Sequence, residues 1–268
     1  MTNRQDMLAY FTEVNRAYIH PFGNRGTEYL MQKMDLKGNE RVLEVGFGTG
    51  TTLVGMKARL PGLRLEGVEA SVAMLEKARK RLRFCGLENK VRLHLATREG
   101  SWPDLSPDFD LIFSESVFAI QEGEGLKHMA ELAGSKLKAG GRLLLNDLVW
   151  RRSTPPEVIE KINTQGKAGF GIIQANALYP AAEDWIRLFE KSGFRVLACE
   201  RPDDMRLPRH RILTFAEFRS RVYSGLGKGI SRLNRRLRRE WRAYEALMNG
   251  AFSGNAKYLE PVIFVLEK

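Results

Sequence analysis

The sequence predicts an α/β protein built on a seven-stranded, mostly parallel sheet, with helices on both faces and helical lid insertions. Three observations predict it. From Arg41 to Cys199, short β-rich runs alternate with helix-like segments. The first run carries Glu44 and leads into glycines at 46, 48 and 50, as expected where a strand turns sharply into a helix at the ligand edge of such a sheet. A last β-rich run, Pro261–Leu266, returns after interruptions at 150–180 and 201–258.

Each element has its own signal. Met7, Leu8, Phe11, Val14, Ala17 and Tyr18, then Leu30 and Met34, recur at helical spacing in two pieces within residues 3–35. The break falls at His20-Pro21-Phe22-Gly23, because proline disfavours helix at the preceding residue. Val42–Val45 reads as the first strand, Thr51–Leu60 as its helix and Leu63–Glu69 as strand two. Ser71 is placed to cap the next helix and Gly86 to end it in a left-handed conformation. Val91–Ala96, Phe109–Phe113, Arg142–Val149 and Phe194–Cys199 read as strands three to six, with helices at Leu126–Leu137 and Ala181–Lys191. In the first interruption, Pro155-Pro156 and glycines 166, 169 and 171 predict a mobile insertion with a short helix near Glu157–Asn163. Pro261 reads as the first residue of the last strand, having no N–H for a ladder. The expected organisation is a helical cap at 1–35, a core at 36–200 and 259–268, and a basic helical lid at 201–258.

Composition narrows the class. No apolar run approaches the roughly 20 residues that span a bilayer. The first residues lack the basic-then-apolar order of a signal peptide. Cys85 and Cys199 form no metal or redox motif, so a reduced, cytoplasmic protein without a metal is expected. The net charge of +11 is uneven: Arg201 to Arg242 holds 13 Lys/Arg against 4 Asp/Glu. The basic character therefore belongs to one segment.

The glycine turn lets bare backbone approach a ligand, but glycine spacing alone is a weak signal. The dinucleotide pattern G-x-G-x-x-G needs glycine at 51, where Thr51 stands. Glu44 sharpens the reading, because an anion there repels a pyrophosphate and suits the positive end of an amino acid. Glu69 ends strand two, where an acid accepts both ribose hydroxyls. Acids at these two strand ends favour a cationic, ribose-bearing ligand, and S-adenosylmethionine (SAM) is one. The plainer alternative is that Glu44 only caps nearby backbone N–H groups.

These residues resemble a known family. Val42-Leu43-Glu44-Val45-Gly46-Phe47-Gly48-Thr49-Gly50 is similar to the first motif of class I SAM-dependent methyltransferases. Gly67-Val68-Glu69-Ala70-Ser71, Phe109–Ser114, Leu137–Leu145 and Ser192-Gly193-Phe194 resemble their motifs at strands two, four, five and six. The likeness covers about residues 25–200 and the last strand. It looks most like the small-molecule branch that holds quinone, sterol, tocopherol and sarcosine methyltransferases. The resemblance implies a Rossmann-like fold, SAM as cofactor and S-adenosylhomocysteine as product. It implies that Glu44 and Gly46, Phe47, Gly48, Thr49 and Gly50 hold the methionine part, that Glu69 binds ribose, and that Ala70 and Met74 flank adenine. Where the family often has an acid after strand three, Ala96-Thr97-Arg98 stands. Thr97 and the Arg98 backbone are then the adenine contacts, with Glu99 as a substitute. Ser114 and Glu115 face the sulfonium and the nucleophile.

Methyl transfer asks the protein mainly for alignment, and for a base only when the nucleophile arrives protonated. Glu115 is placed as that base or as an anchor for a cationic amine; a solvated strand-end glutamate is the plain alternative. His20, in the N-terminal break, is the histidine placed like a pocket residue, and Tyr10 and Tyr18 are the substrate-capping candidates. In the basic segment, Ile230, Leu233, Leu237, Trp241, Tyr244 and Met248 read as one apolar stripe on a long helix with arginines around it. A lid helix with a solvated face, an anionic substrate, an acidic membrane surface or RNA are its open readings. The expected function is SAM-dependent methylation of a small molecule: lipid-like, an amine or an anionic natural product. RNA methylation and a non-catalytic SAM-binding partner are the alternatives. The acceptor atom and oligomeric state are not readable.

Overall fold

A computed structural model describes residues 7–18, 20, 22–97, 101–102, 105–201, 204–206, 212–247 and 257–268. Seven strands form one sheet: β1 (Arg41–Val45), β2 (Arg64–Glu69), β3 (Arg92–Leu95), β4 (Phe109–Glu115), β5 (Leu137–Trp150), β6 (Arg195–Glu200) and β7 (Leu259–Glu267). Their order is β3-β2-β1-β4-β5-β7-β6. All neighbours are parallel except β7, which is antiparallel to both β5 and β6. The described helices are α1 (Met7–Glu13), α2 (Gly23–Met34), α3 (Thr51–Arg59), α4 (Val72–Phe84), α5 (Gly125–Lys136), α6 (Pro156–Phe170), α7 (Ala182–Lys191), α8 (Phe215–Leu233) and α9 (Arg235–Leu247). The expected mostly parallel α/β sheet is therefore present.

Strand alternation splits the core into two layers. Leu43, Val45, Ile112, Leu143 and Leu145 face one side, with α5 and α7 residues such as Met129, Trp185 and Phe189. Val42, Leu65, Leu111, Phe113 and Leu144 face the other, with Leu30 and Met34 of α2, Leu53 of α3 and Leu82 of α4. Leu30, Met34 and Leu53 are fully buried, each contributing roughly 1.5–3 kcal/mol of apolar burial. The same parity puts Glu44, Glu69 and Glu115 near strand ends, and Asn146 beside Glu115 within β5, on the second side, beneath α2 and α3. The chain turns from β1 toward β2 on one side and has β4 on the other. The site thus forms at the switch point of the strand order.

Local signals work as expected where the chemistry is local. The Ser71 hydroxyl accepts the Met74 N–H at the start of α4. Gly86 (φ 74) and Gly193 (φ 86) take left-handed conformations after α4 and α7. Three expectations are corrected. The 150–180 interruption holds a 15-residue helix, α6, that runs through Gly166 and stops at left-handed Gly171 (φ 78). A Cβ at Gly166 would lie 2.8 Å from the Ile172 carbonyl, so this glycine admits the returning chain rather than breaking the helix. The basic helix is two helices, because Asn234 accepts the N–H groups of Arg236 (2.9 Å) and Leu237 (3.3 Å) and caps α9. The proposed stripe is correspondingly split: Leu237 is buried, whereas Leu233 is 84% exposed. The side chains of Ile230, Tyr244 and Met248 lie outside the described ones. Pro261 is the third residue of β7, opposite Leu148, and β6 pairs only from Ile263 onward. The proline thus sits where β7 has one neighbour.

Candidate functional site

The glycine turn opens β1 into α3 through three left-handed residues, Gly46 (φ 72), Gly48 (φ 54) and Gly50 (φ 77). Their reasons differ. A Cβ at Gly46 would lie 2.2 Å from Val117 Cγ2, so glycine lets the loop after β4 close on the turn. A Cβ at Gly50 would lie 3.0 Å from Ala78, so Gly50 serves the packing of α3 on α4 and does not line the cavity. Gly67, within β2, makes room for the Phe47 ring.

Above the turn lies a cavity of about 620 Å³, mostly apolar in lining, within the size range of small-ligand sites. Glu44, Gly46, Phe47, Gly48, Thr49, Glu69, Ala70, Met74, Glu115 and His20 all line it. Its wall continues through Trp102, Val117, Met129, Leu148, Ile172 and Ile173.

Three carboxyl groups set its electrostatics. Glu44 is buried, and its Oε2 has no hydrogen-bond partner among the described residues. Burial, then the charges of Glu115 and Glu69, pushes its carboxyl well above the usual range. Glu69 instead is the backbone acceptor: it takes the N–H of Gly48 and of Ser71, each at 2.9 Å. Burial raises its carboxyl, and those N–H groups partly offset the rise. Glu115 accepts the hydroxyls of Thr27 (3.0 Å) and Thr52 (3.2 Å) and the Asn146 amide (3.1 Å). His20 Nδ1 lies 3.2 Å from Glu115 Oε2, and its Nε2 lies 3.1 Å from Thr27 Oγ1. Thr27 has one hydroxyl hydrogen, which it gives to Glu115, so His20 Nε2 is the donor in their contact. A proton arriving on Nδ1 would then face a carboxylate.

Other expected residues fall elsewhere. Ser114 is fully buried and donates to the Val45 carbonyl (3.0 Å), because strand alternation turns it away from Glu115's side. Thr97 is exposed and bonded to Ser101; Ala96 meets the cavity in its place. Arg98 and Glu99 lie outside the described residues. Tyr10 packs on Phe11 and Trp241 and does not line the cavity, whereas Phe11 does. Tyr18 donates to Asn24 (2.7 Å), meets the His20 ring edge-on and walls a neighbouring cavity of about 340 Å³. Burial, then the Glu115 charge, holds its hydroxyl up at about 12. Sequence reasoning passed over Thr27, Thr52, Asn146 and Ile172–Ile173. Asn146 had a signal, a polar residue inside the apolar run Leu143–Leu148. Among the described residues no group of three or more His, Cys, Asp and Glu is arranged to hold a metal.

The arrangement fits a cationic ligand. An unpartnered buried carboxyl oxygen, two further acids and a glycine cradle leave negative potential that a positive group would neutralise. A methyltransferase domain model matches residues 43–143. Methyltransferase GfsG of Streptomyces halstedii is 31% identical over 176 residues, 65% of this chain and 60% of that protein. The fold matches a SAM-dependent methyltransferase of Geobacter sulfurreducens solved with S-adenosylhomocysteine, at TM-score 0.65 and 19% identity, over 97% of this chain and 98% of the other. It also matches phosphoethanolamine N-methyltransferase 2 of Haemonchus contortus, at TM-score 0.69 and 18% identity, over 97% of this chain and 56% of the other.

Proposed function

We propose that the chain is a class I SAM-dependent methyltransferase and that it methylates a small-molecule acceptor bound beside Glu115. The observation that carries this reading is the buried Glu115–His20–Thr27–Asn146 cluster, whose Glu115 and His20 line the same cavity as Glu44 and the glycine turn. When bound, SAM supplies a methyl group already activated by its sulfonium. Glu44 and the turn would hold its amino-acid end, Glu69 the ribose, and Ala70, Met74 and Ala96 the adenine side. Thr27, Thr52 and Asn146 fix the Glu115 carboxylate, so its charge is preorganised toward the reacting centre. For an acceptor that arrives as O–H or N–H, its lone pair would form the bond to the methyl carbon as the methyl–sulfur bond breaks, that electron pair staying on the departing S-adenosylhomocysteine, and its proton would pass to the Glu115–His20 pair. His20 Nδ1 can keep that proton against the carboxylate. The mostly apolar wall excludes water and favours an acceptor with an apolar body.

Small-molecule acceptors are also the substrates named for phosphoethanolamine N-methyltransferase 1 of Arabidopsis thaliana and trans-aconitate 2-methyltransferase of Rhodopseudomonas palustris, both sequence relatives. We read α1–α2 and α8–α9 as lids over the core. Cys85 and Cys199 are free thiols, which supports a reducing, cytoplasmic setting. The test is release of S-adenosylhomocysteine from SAM with pools of hydroxylated and amine-bearing compounds. Wild type releases it with at least one pool, and Glu115→Gln lowers kcat at least 100-fold with little change in SAM affinity. Wild type that binds SAM but turns over with no pool contradicts the enzymatic reading.

A further inference from the structure

Helix α8 is inside out. Its inner face is Glu217, Ser220, Ser224 and Gly227, all buried. Its outer face is Phe215 (74% exposed), Phe218 (56%), Val222 (39%), Leu226 (55%) and Leu233 (84%). These recur at steps of three, four, four and seven, which is one stripe at 3.6 residues per turn. The inner face is anchored by polar contacts, so the helix cannot roll to hide the stripe. Glu217 accepts Arg59 Nη2 at 2.7 Å, and Ser220 and Ser224 accept Arg81 Nη1 at 2.9 and 3.0 Å. A Cβ on Gly227 would lie 2.0 Å from the Val14 carbonyl. A contiguous exposed apolar stripe of this kind marks a docking face.

Its surroundings say what docks. Arg219 borders one flank, over the rings of Phe84 and Phe215, and exposed Arg221 borders the other. Arg235, Arg238, Arg239 and Arg242 are exposed on the adjoining α9. The stretch 201–242 carries 13 basic against 4 acidic residues. A second copy would bring the same positive charge against this face and be repelled. An apolar stripe flanked by guanidinium groups instead complements phosphate headgroups over acyl chains. The Arg221 flank, with Gly225, also walls the 340 Å³ cavity, which shares Ala17, Thr51 and Thr52 with the main cavity. We propose that the outer face of α8, with its flanking arginines and the exposed arginines of the adjoining α9, docks this protein on anionic lipid surfaces.

The test is co-sedimentation of the full chain with vesicles of phosphatidylcholine alone and of equal parts phosphatidylcholine and phosphatidylglycerol. Three proteins are compared: wild type, Phe218→Ser/Leu226→Ser, and Arg238→Gln/Arg239→Gln. All changes are on exposed side chains, and melting curves verify folding. Wild type is expected to bind the anionic vesicles at least tenfold more tightly than the neutral ones. Both variants are expected to lose at least tenfold of that binding with unchanged melting. No vesicle reads methyl transfer, so failure here leaves the enzymatic reading standing. Equal binding to both vesicle types, or none to either, overturns the proposal. Anionic binding that survives in the Phe218/Leu226 variant also overturns it, leaving charge attraction alone. A dimer in light scattering that the Phe218/Leu226 variant dissolves, without vesicle binding, assigns the stripe to a second copy instead.

Discussion

Glu44 is the residue on which the cofactor assignment rests. A buried carboxyl with an unpartnered oxygen is costly in the ligand-free protein, and an arriving cation would offset that cost. Burial and the neighbouring acids raise its folded-state value, so the folded protein holds a proton that the unfolded chain has released from about its ordinary 4.5 upward. The native state then binds more protons than the unfolded state, and stability falls as pH rises through that window. Glu69 and Asp147, also raised by burial, act in the same direction. Glu44→Gln removes one such contribution. The ligand-free variant should melt higher than wild type at pH 8, by about 2–4 °C per kcal/mol regained, with a smaller difference near pH 5. A lower melting temperature at pH 8 would show that Glu44 has a structural partner instead.

At the scale of elements, Arg81 joins parts that are distant in sequence. Fully buried in α4, it donates to the Thr49 carbonyl (2.8 Å), the Asn15 carbonyl (3.1 Å) and the hydroxyls of Ser220 and Ser224. No carboxylate accepts from it among the described residues, and burial lowers its pKa to about 10. The guanidinium fork thus ties the glycine turn to the N-terminal segment and to α8. Arg81→Met should cost roughly 1–3 kcal/mol by leaving these acceptors unpaired, and it should weaken SAM binding through the released Thr49 carbonyl. Chemical denaturation and SAM titration of the variant measure both effects; wild-type values in both would remove the tie. The sequence could not announce this role, because Arg81 reads as one of several basic residues on an amphipathic helix. The strands were legible for the opposite reason: β-rich runs and stop glycines such as Gly86 and Gly193 act locally. Helix α6 was under-read because Gly166 and Gly169 signal breaks locally, whereas Gly166 is required by contact with residues 172 and 174. The α8–α9 break was missed because one Asn, capping through its side chain, outweighs a continuous apolar spacing.

The whole molecule brings a sheet edge and the segments packed over it to one cavity. The sheet's share of that cavity, Glu44, the glycine turn, Glu69 and Glu115, follows from strand ends and parity, and it was legible. The share of the segments packed over it was legible only in part: His20 was placed by the break it occupies, but Thr27, Ile172 and Ile173 meet the site through tertiary packing. Strand parity also explains the exchange of Ser114 for Asn146, since a shift of one residue moves a side chain to the other side of the sheet. The central claim is that the acid-and-glycine edge of this sheet binds SAM. Titration calorimetry of SAM and S-adenosylhomocysteine into wild type and into Glu69→Ala tests it most directly. Saturable binding of both ligands to wild type is predicted, with at least a tenfold loss, about 1.4 kcal/mol or more, in a Glu69→Ala protein that melts cooperatively. No binding of either ligand to wild type, or undiminished affinity in the folded variant, would contradict it.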